Sequence, residues 1–218
     1  IKDNDTVAIQ GSGGGVCEPT FILKKLGEKY FKEKSPKNLT LLHANVIGDR
    51  DTYGTDALAY PGLVKRDIAG HWGMAPKMAQ LALEEKIEAY NLPQGVISQM
   101  FQTIASGKPG VITKTGLHTF IDPRIEGGKM NKSAKEDLVK VIEIDGEEWL
   151  YYPNIKIDVA IVRGTTADTK GNISSEEEAA ILEGISIAQA AHNCGGIVIA
   201  QVKYIAEHGT INPKDVTI

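Results

Sequence analysis

The stretch TVAIQGSGGGVCEP, which runs from Thr6 to Pro19, decides the fold. Its first residues are mostly apolar, and they predict a short buried strand over 6–10. The apolar run ends at Gly11, and three consecutive glycines follow after one serine. Glycine allows left-handed backbone angles and lets another group approach the main chain closely. We therefore expect either a tight strand-to-helix turn or a place where a ligand meets the backbone.

Strand-like and helix-like segments continue to alternate along the chain. We predict helices over 18–33, 76–90, 95–106 and 174–196, and further strands over 38–46, 110–116, 157–165 and 197–205. Ser174 and Gly195 are the expected N-cap and C-cap of the last helix. The segment 138–152 is different, because two strand-like runs flank Asp145-Gly146, a dipeptide typical of hairpin turns.

This alternation is typical of a sheet covered by helices. The predicted fold class is α/β: an open, largely parallel sheet with helices on both faces and a small antiparallel hairpin insertion. We expect one domain over 1–218. Ligands bind such sheets beyond the carboxyl ends of the strands. Gly11–Gly15, Gly116 and Gly164 all follow a predicted strand.

The composition excludes several classes of partner. The 218 residues carry a formal net charge of -4, so nothing indicates a nucleic acid or an anionic membrane surface as partner. No apolar run approaches about 18 residues, and no signal peptide is visible. Two widely separated cysteines, Cys17 and Cys194, favour reduced thiols in a cytoplasmic protein, and we expect Cys17 to be a small buried filler. The five histidines lack metal-ligand spacing, so no metal is expected.

Nucleotide-binding motifs are incomplete in this sequence. A dinucleotide fingerprint needs a third glycine where Val16 stands, and an acid after the second strand, which ends around Asn45. The run Gly107-Lys108-Pro109 does not fit a P-loop. A nucleotide- or NAD-dependent enzyme that uses the Gly11–Gly15 loop stays open as an alternative, as does a non-catalytic binding subunit.

Five segments together resemble one known family. They are NLPQGVISQMF (91–101), VITKTGLHTFIDPRIEGGKMN (111–131), EIDGEEWLYY (143–152), DVAIVRGTTADTKGNIS (158–174) and GGIVIAQVKYI (195–205). On these segments the sequence resembles the N-terminal half of the class I coenzyme A transferases. Within that family it is most similar to the propionate/acetate CoA-transferases. The resemblance covers essentially the whole chain.

The resemblance implies an acyl-CoA:carboxylate CoA-transferase, which moves CoA between short-chain acids such as acetate, propionate and butyrate. In the family a glutamate carboxylate attacks the acyl-CoA, and a glutamyl-CoA thioester forms on the way to the new acyl-CoA. That glutamate lies in the C-terminal half, so the resemblance implies no nucleophile in this chain. Coenzyme A is then a substrate, and no cofactor is expected.

The resemblance also implies partners. They are an acyl-CoA, a short-chain carboxylate and a C-terminal half, which belongs to the same polypeptide or to a separate subunit. A homo-oligomer is implied as well. The sequence starts at Ile1 without a methionine and ends in the strand-like run 216–218. We therefore expect a fragment of a longer protein, inactive alone.

Residues at two strand ends receive roles from the resemblance. Gly13, Gly14 and Gly15 would bring backbone N–H groups to the acyl or thioester group at a helix N-terminus, although a tight turn alone would also favour these glycines. Gln94 and Gly95 open a predicted helix and would bind substrate. Gln94 would support the oxyanion of the reaction.

The loop after the next predicted strand carries the other implied site residues. Thr115, Gly116 and His118 would line the acid pocket. His118 is equally well explained as a hydrogen-bonded structural residue. Asp122 and Arg124 are expected to pin this loop through an ion pair rather than to touch substrate.

The first loop departs from the family pattern. The family commonly carries Gly-Gly-Phe and then Gly-x-Pro there, whereas this chain has Gln10-Gly11-Ser12 and Cys17-Glu18-Pro19. The loop keeps its glycines but has no aromatic residue. The specificity for one acid chain therefore does not follow from the resemblance.

Overall fold

Twelve strands and four helices make up the fold, which a computed structural model describes over all of residues 1–218. The strands are β1 (Thr6–Ile9), β2 (Leu39–His43), β3 (Val64–Ala69), β4 (Glu88–Asn91), β5 (Gly110–Thr113), β6 (Lys140–Ile144), β7 (Glu147–Pro153), β8 (Val159–Arg163), β9 (Thr166–Asp168), β10 (Ile173–Ser174), β11 (Ile197–Gln201) and β12 (Tyr204–Ala206). The helices are α1 (Thr20–Glu33), α2 (Pro76–Leu83), α3 (Gln94–Ala105) and α4 (Gly184–Asn193), and a 3-10 turn spans Gly54–Leu58.

The main sheet has six parallel strands in the order β11-β8-β1-β2-β3-β4. The chain builds outward from β1 through β2 and β3 to β4, and later returns to the other side of β1 with β8 and β11. The order therefore reverses between β1 and β8, so the loops after these two strands lie side by side. Such a switch point is where open α/β sheets bind ligands.

Alternate residues of β1 explain why both faces of the sheet carry helices. Val7 and Ile9 are buried in a core shared with α1, α2 and the 3-10 turn, whereas Ala8 is buried in a core shared with α3 and α4. Because successive side chains of a strand point to opposite faces, the two cores lie on opposite sides of the sheet. The predicted open α/β fold is confirmed.

A second, antiparallel sheet has the order β5-β7-β6. It contains the predicted hairpin, with Asp145 and Gly146 at the turn and both at positive φ, 53° and 77°. Both signs are those that a two-residue hairpin turn of the favoured type requires. β5 belongs to this sheet and not to the parallel one. A third small sheet pairs β10, β9 and β12.

The predicted helix over 76–90 is wrong at its C-terminal end. α2 stops at Leu83, and the last predicted helical residues form β4 instead. Glu85 adopts a φ of 57°, a left-handed angle that a helix cannot continue through. Ala89 and Tyr90 are then buried in the main sheet, one on each face.

The predicted helix over 174–196 is wrong at its start. Only α4 is helical, and Ser174 pairs within β10 rather than capping a helix. Glu178 forms an ion pair with Arg163 at 2.9 Å, so the glutamates after Ser174 serve tertiary contacts instead of a first helical turn. The C-cap of α4 is Cys194, and the predicted Gly195 lies one residue beyond it with a φ of 74°, a left-handed angle common just after a helix.

β3 was not predicted, because its residues Lys65, Arg66 and Asp67 obscure the apolar pattern. Arg66 is neutralised by Glu88 on the adjacent β4, with 2.6 Å between Arg66 Nε and Glu88 Oε2. The predicted strand over 197–205 is divided between β11 and β12, which lie in different sheets. None of the helices is both long and apolar enough to cross a membrane.

Candidate active site at the carboxyl edge of the parallel sheet

The glycine loop, residues 11–18, follows β1 at the carboxyl edge of the parallel sheet. Ser12 and Val16 close its tip by exchanging backbone hydrogen bonds of 2.8 and 3.1 Å. Between them, Gly14 and Gly15 have φ angles of 81° and 89°. A residue with a Cβ is strained at such angles, so the fold needs glycine at both positions.

The backbone N–H groups at this tip differ in their partners. Gly14 N–H donates to Gly48 O at 2.9 Å, and Gly15 N–H donates to Glu18 Oε1 at 3.3 Å. Gly13 N–H has no acceptor within the chain. A Cβ on Gly13 would lie 3.1 Å from Val46 Cγ1, so the backbone approaches the loop after β2 closely. Of the three N–H groups expected to meet substrate, Gly13 alone is free of an internal partner.

The N-terminus of α1, which the glycine loop enters, is occupied. The Gln201 side-chain oxygen, at the end of β11, accepts hydrogen bonds from Phe21 N–H at 2.9 Å and Ile22 N–H at 3.4 Å. These are two of the donors that a helix N-terminus leaves open for an anion. The N–H groups of this helix N-terminus, which were expected to bind an anion of the substrate, are therefore already bonded to Gln201.

Gln10, the residue after β1, ties the switch point together. Its side chain is 1% exposed. Oε1 accepts the Arg163 N–H at 2.8 Å, and Nε2 donates to Ile181 O at 2.9 Å. A single buried amide therefore joins the ends of β1 and β8 to the segment before α4.

Glu18 is the buried acid of the glycine loop. Oε1 also accepts the Gly48 N–H at 2.9 Å, and Oε2 has no partner. Burial raises the pKa of Glu18 above its ordinary value, against the lowering effect of the hydrogen bonds from Gly48 and Gly15. In the sequence, Glu18 stands out only as part of a departure from the family pattern. The available signal was an acid placed between a glycine-rich loop and an apolar helix.

A buried histidine–aspartate pair lies under the next loop of the same edge. His43, at the end of β2, donates from Nδ1 to Asn45 O at 2.5 Å and contacts Asp67 Oδ1 through Nε2 at 2.9 Å. Burial alone lowers the pKa of His43, but the charge and hydrogen bond of Asp67 outweigh it and raise the pKa. The pair fixes the chain that leads to Val46 and Gly48. His43 is thus a structural residue.

Gln94 lies at this edge too. It is the first residue of α3, is exposed, and makes no side-chain hydrogen bond within the chain. A Cβ on Gly70, just after β3, would lie 2.8 Å from Gln94 Cβ and 2.1 Å from Ala44 O. Gln94 is therefore packed against Gly70, at the end of β3. Gly95 is exposed, and a Cβ there would meet nothing within 4 Å.

Thr115, Gly116 and His118 lie in a separate loop, which we call the flap loop (residues 114–129). Tyr152, on β7, donates its hydroxyl to Thr115 O at 2.7 Å and lies against Gly116. His118 is exposed and has a φ of 61°. Its backbone N–H donates to Asp122 Oδ2 at 3.1 Å. No hydrogen bond joins these residues to the glycine loop, so the chain holds its candidate residues in two groups.

The expected ion pair of the flap loop is present. Arg124 Nη2 lies 2.8 Å from Asp122 Oδ2, and Arg124 Nη1 lies 2.8 Å from Glu148 Oε1. The hydrogen bonds from Arg124 hold the pKa of Asp122 well below its usual range. The loop reaches the main sheet where Asn91 N–H donates to Gly128 O at 2.8 Å.

Cys17 is 2% exposed and donates its Sγ hydrogen to Ala180 O at 2.7 Å. Burial raises the pKa of the Cys17 thiol, which keeps it neutral and unreactive. This agrees with its expected role as a small buried filler.

The whole chain is similar to one protein family and to several known proteins. The family described as Coenzyme A transferase matches residues 1–218. The chain is 44% identical over 218 residues to acetate CoA-transferase YdiF of Escherichia coli (strain K12), covering 100% of this chain and 41% of YdiF. It is 47% identical, with the same two coverages, to caffeate CoA-transferase of Acetobacterium woodii. A crystal structure of YdiF from E. coli O157:H7, in a thioester complex with CoA, matches with a TM-score of 0.97 at 44% identity, covering 100% of this chain and 45% of that chain. The chain spans less than half the length of these relatives.

Proposed function

This chain belongs to the coenzyme A transferase family, and on that premise we propose that it is the N-terminal half of an acyl-CoA:carboxylate CoA-transferase. One observation carries the proposal: the similarity to two transferases runs over the whole chain at 44% and 47% identity. Each relative extends well beyond the part that matches this chain, and we propose that the remainder corresponds to a C-terminal half, on the same polypeptide or on a separate subunit. That half is the proposed partner of this chain.

The proposed reaction uses a glutamate of the C-terminal half as nucleophile. Its carboxylate attacks the acyl-CoA carbonyl, CoA leaves as a thiolate, and an acyl-glutamyl anhydride forms. The thiolate then attacks the glutamyl carbonyl, which releases the first acid and leaves a glutamyl-CoA thioester. The second acid attacks this thioester and the steps run in reverse to give the new acyl-CoA. No glutamate of this chain is given that role.

This chain supplies hydrogen-bond donors to the proposed reaction. Each step passes through a tetrahedral oxyanion, which donors fixed in advance stabilise by about 2.7–4 kcal/mol each. The Gln94 side-chain amide and the Gly13 N–H are both free of partners in the chain and lie at the carboxyl edge. We assign the oxyanion to these two donors, with Gly14, Gly15 and Gly95 shaping the surface around them.

The proposed acids are short-chain, namely acetate, propionate and butyrate. Thr115, Gly116 and His118 of the flap loop are the proposed lining of the acid pocket. The relative at 47% identity is named for caffeate, a larger aromatic acid. A panel of acceptor acids from acetate to caffeate therefore tests the substrate class directly.

The test is a chimera in which this chain replaces the matching part of YdiF. The structural match at a TM-score of 0.97 makes the exchange feasible. We expect the chimera to transfer CoA from propionyl-CoA to acetate, and its intact mass to show a CoA-sized adduct that borohydride removes. The chain alone gives neither signal. A folded chimera without transfer would contradict the proposal.

Matched variants on α3 test the role of Gln94. Gln94→Ala is expected to lower kcat by about 100-fold, the usual loss on removing one oxyanion donor. Gln99→Ala, at another exposed position of the same helix, is the control and should stay within about twofold of the parent chimera. Equal losses in both variants would exclude Gln94 as a specific donor.

A further inference from the structure

We propose that Glu18 is a positioning residue, which sets the glycine loop so that the Gly13 N–H faces the substrate. That the Gly13 N–H faces the substrate rests on the proposed function, whereas the positioning of the loop stands on geometry alone. Glu18 is fully buried. Its carboxyl group contacts the backbone N–H groups of Gly15 and Gly48, and it acts through them.

The carboxyl group of Glu18 joins two loops through one oxygen. Oε1 accepts N–H groups from Gly15, in the loop after β1, and from Gly48, in the loop after β2. Gly48 O in turn accepts the Gly14 N–H at 2.9 Å. Gly14, Gly15, Gly48 and Glu18 are therefore joined by one set of hydrogen bonds. Among the N–H groups at the loop tip, only that of Gly13 is left without a partner.

The main chain of Glu18 is fixed as well. Arg163 Nη1 donates to Glu18 O at 3.1 Å, and its Nε is held by Glu178 at 2.9 Å. A Cβ on Gly11 would lie only 2.9 Å from Glu18 Cγ. Gly11 is thus a glycine because Glu18 occupies the space that a side chain would need.

The second carboxyl oxygen of Glu18 indicates that the neutral acid, and not the carboxylate, holds the loop. Oε2 is buried and has no partner, a costly state for a full negative charge. A neutral carboxylic acid keeps the carbonyl acceptor at Oε1 and carries its proton on Oε2. Glutamine has the same shape and the same acceptor, so Glu18→Gln should preserve the loop.

Asp56 provides a matched control in the same chain. It is also a buried acid, 5% exposed, with Oδ1 accepting the N–H groups of Lys77 and Met78 at 2.9 and 3.0 Å and Oδ2 unpartnered. Its two bonds hold the start of α2 and not the glycine loop. Loss of Asp56 therefore reports what removal of a similar buried acid does to stability alone.

Amide hydrogen exchange on the 218-residue chain tests the positioning directly. In Glu18→Met, the Gly15 and Gly48 amides should exchange at least about tenfold faster relative to the core amide of Leu41. If Glu18→Met does not fold, Glu18→Asp is measured in its place, with the same expected result. Glu18→Gln, which keeps the acceptor, and Asp56→Ala, which removes a buried acid elsewhere, should leave both ratios within about twofold. Unchanged ratios in Glu18→Met or Glu18→Asp would overturn the proposal.

Kinetics in the YdiF chimera test the consequence for the reaction. Glu18→Asp draws the carboxyl back from both N–H groups, and we expect kcat to fall about tenfold or more with KM for the acyl-CoA nearly unchanged. Glu18→Gln should restore kcat to within about twofold. A rise in KM alone, or equal loss in Glu18→Gln, would overturn the role in the reaction. If every chimera is inactive, the proposed function fails and the exchange ratios alone decide the positioning.

Discussion

The glycine loop and the flap loop are held in place by different means. The glycine loop depends on buried groups that are distant in sequence, because Glu18 bonds to Gly48 and Arg163 bonds to Glu18. The flap loop depends on Asp122, whose partners His118 and Arg124 are at most four residues away. A loop set by distant partners is only as well defined as the whole sheet. The turn around Asp122 is set locally, and Tyr152 and Asn91 join the flap loop to the rest of the chain. Four predictions test this contrast.

The largest effect is expected at Gly70, under the carboxyl edge. Gly70→Ala places a Cβ 2.1 Å from Ala44 O and 2.8 Å from Gln94 Cβ, so the ends of β2 and α3 must move apart. We expect a loss of about 2–3 kcal/mol in the free energy of unfolding, measured in urea. Gly95→Ala, one residue from Gln94 and without neighbours, is the control and should gain up to about 1 kcal/mol. Similar losses in both variants would refute the close approach at Gly70.

Asp122 should matter next, and only within the flap loop. Asp122→Ala removes the acceptor for His118 N–H and for Arg124, and should cost about 2 kcal/mol of unfolding free energy. Glu148→Gln removes only the exposed partner of Arg124 and should cost less than about 1 kcal/mol. Amide exchange at Gly15 and Gly48 should not change in either variant. Faster exchange there would show that the two loops are coupled.

Tyr152→Phe tests the anchor of the flap loop at its start. The variant loses one hydrogen bond, from the hydroxyl to Thr115 O, and should cost about 1 kcal/mol of unfolding free energy. Tyr151→Phe is the matched control on the same strand, because its hydroxyl bonds Pro109 O at an exposed site. We expect it to cost a few tenths of a kcal/mol, by the usual size of surface effects. A larger loss in Tyr151→Phe would reverse the assignment of the anchor.

The two loops should respond to pH in opposite directions. The pKa of Asp122 is lowered, so its stabilising effect is present above its ordinary value of 3.8 and is lost as the pH falls below it. The pKa of Glu18 is raised, so the folded state is favoured at low pH and loses stability as the pH rises through 4.5 and above. We expect Asp122→Asn to lose less unfolding free energy than the parent as the pH falls below 3.8. We expect Glu18→Gln to lose less than the parent as the pH rises above 4.5. Both are measured by urea unfolding over a series of pH values. Parallel curves for parent and variants would contradict these directions.

Much of the fold followed from local pattern. The strand of β1, the helix after it and the hairpin at Asp145-Gly146 each carry their own signal, since apolar spacing and turn residues act within a few positions. The ion pair of Asp122 and Arg124 was likewise foreseen, because its members are neighbours in sequence. Membership of the coenzyme A transferase family was indicated by motifs along the whole chain, and the family match over residues 1–218 agrees with it.

Two elements were decided by tertiary contacts. β3 carries Lys65, Arg66 and Asp67, and the last two charges meet Glu88 on β4 and His43 on β2. No local pattern shows those partners. The same holds for β4, whose residues have a helix-like spacing but pair with β3 in the main sheet.

The sequence by itself determined that a glycine-rich loop follows the first strand of an α/β sheet, because glycine's backbone freedom is a property of the residue. Only the tertiary structure decided what those glycines accommodate. Gly11 makes room for Glu18, and Glu18 bonds to Gly48, thirty residues further along the chain. The physical reason is that a buried polar group must find its partner in space. Which backbone N–H groups lie within reach depends on the folded sheet and not on the neighbouring residues.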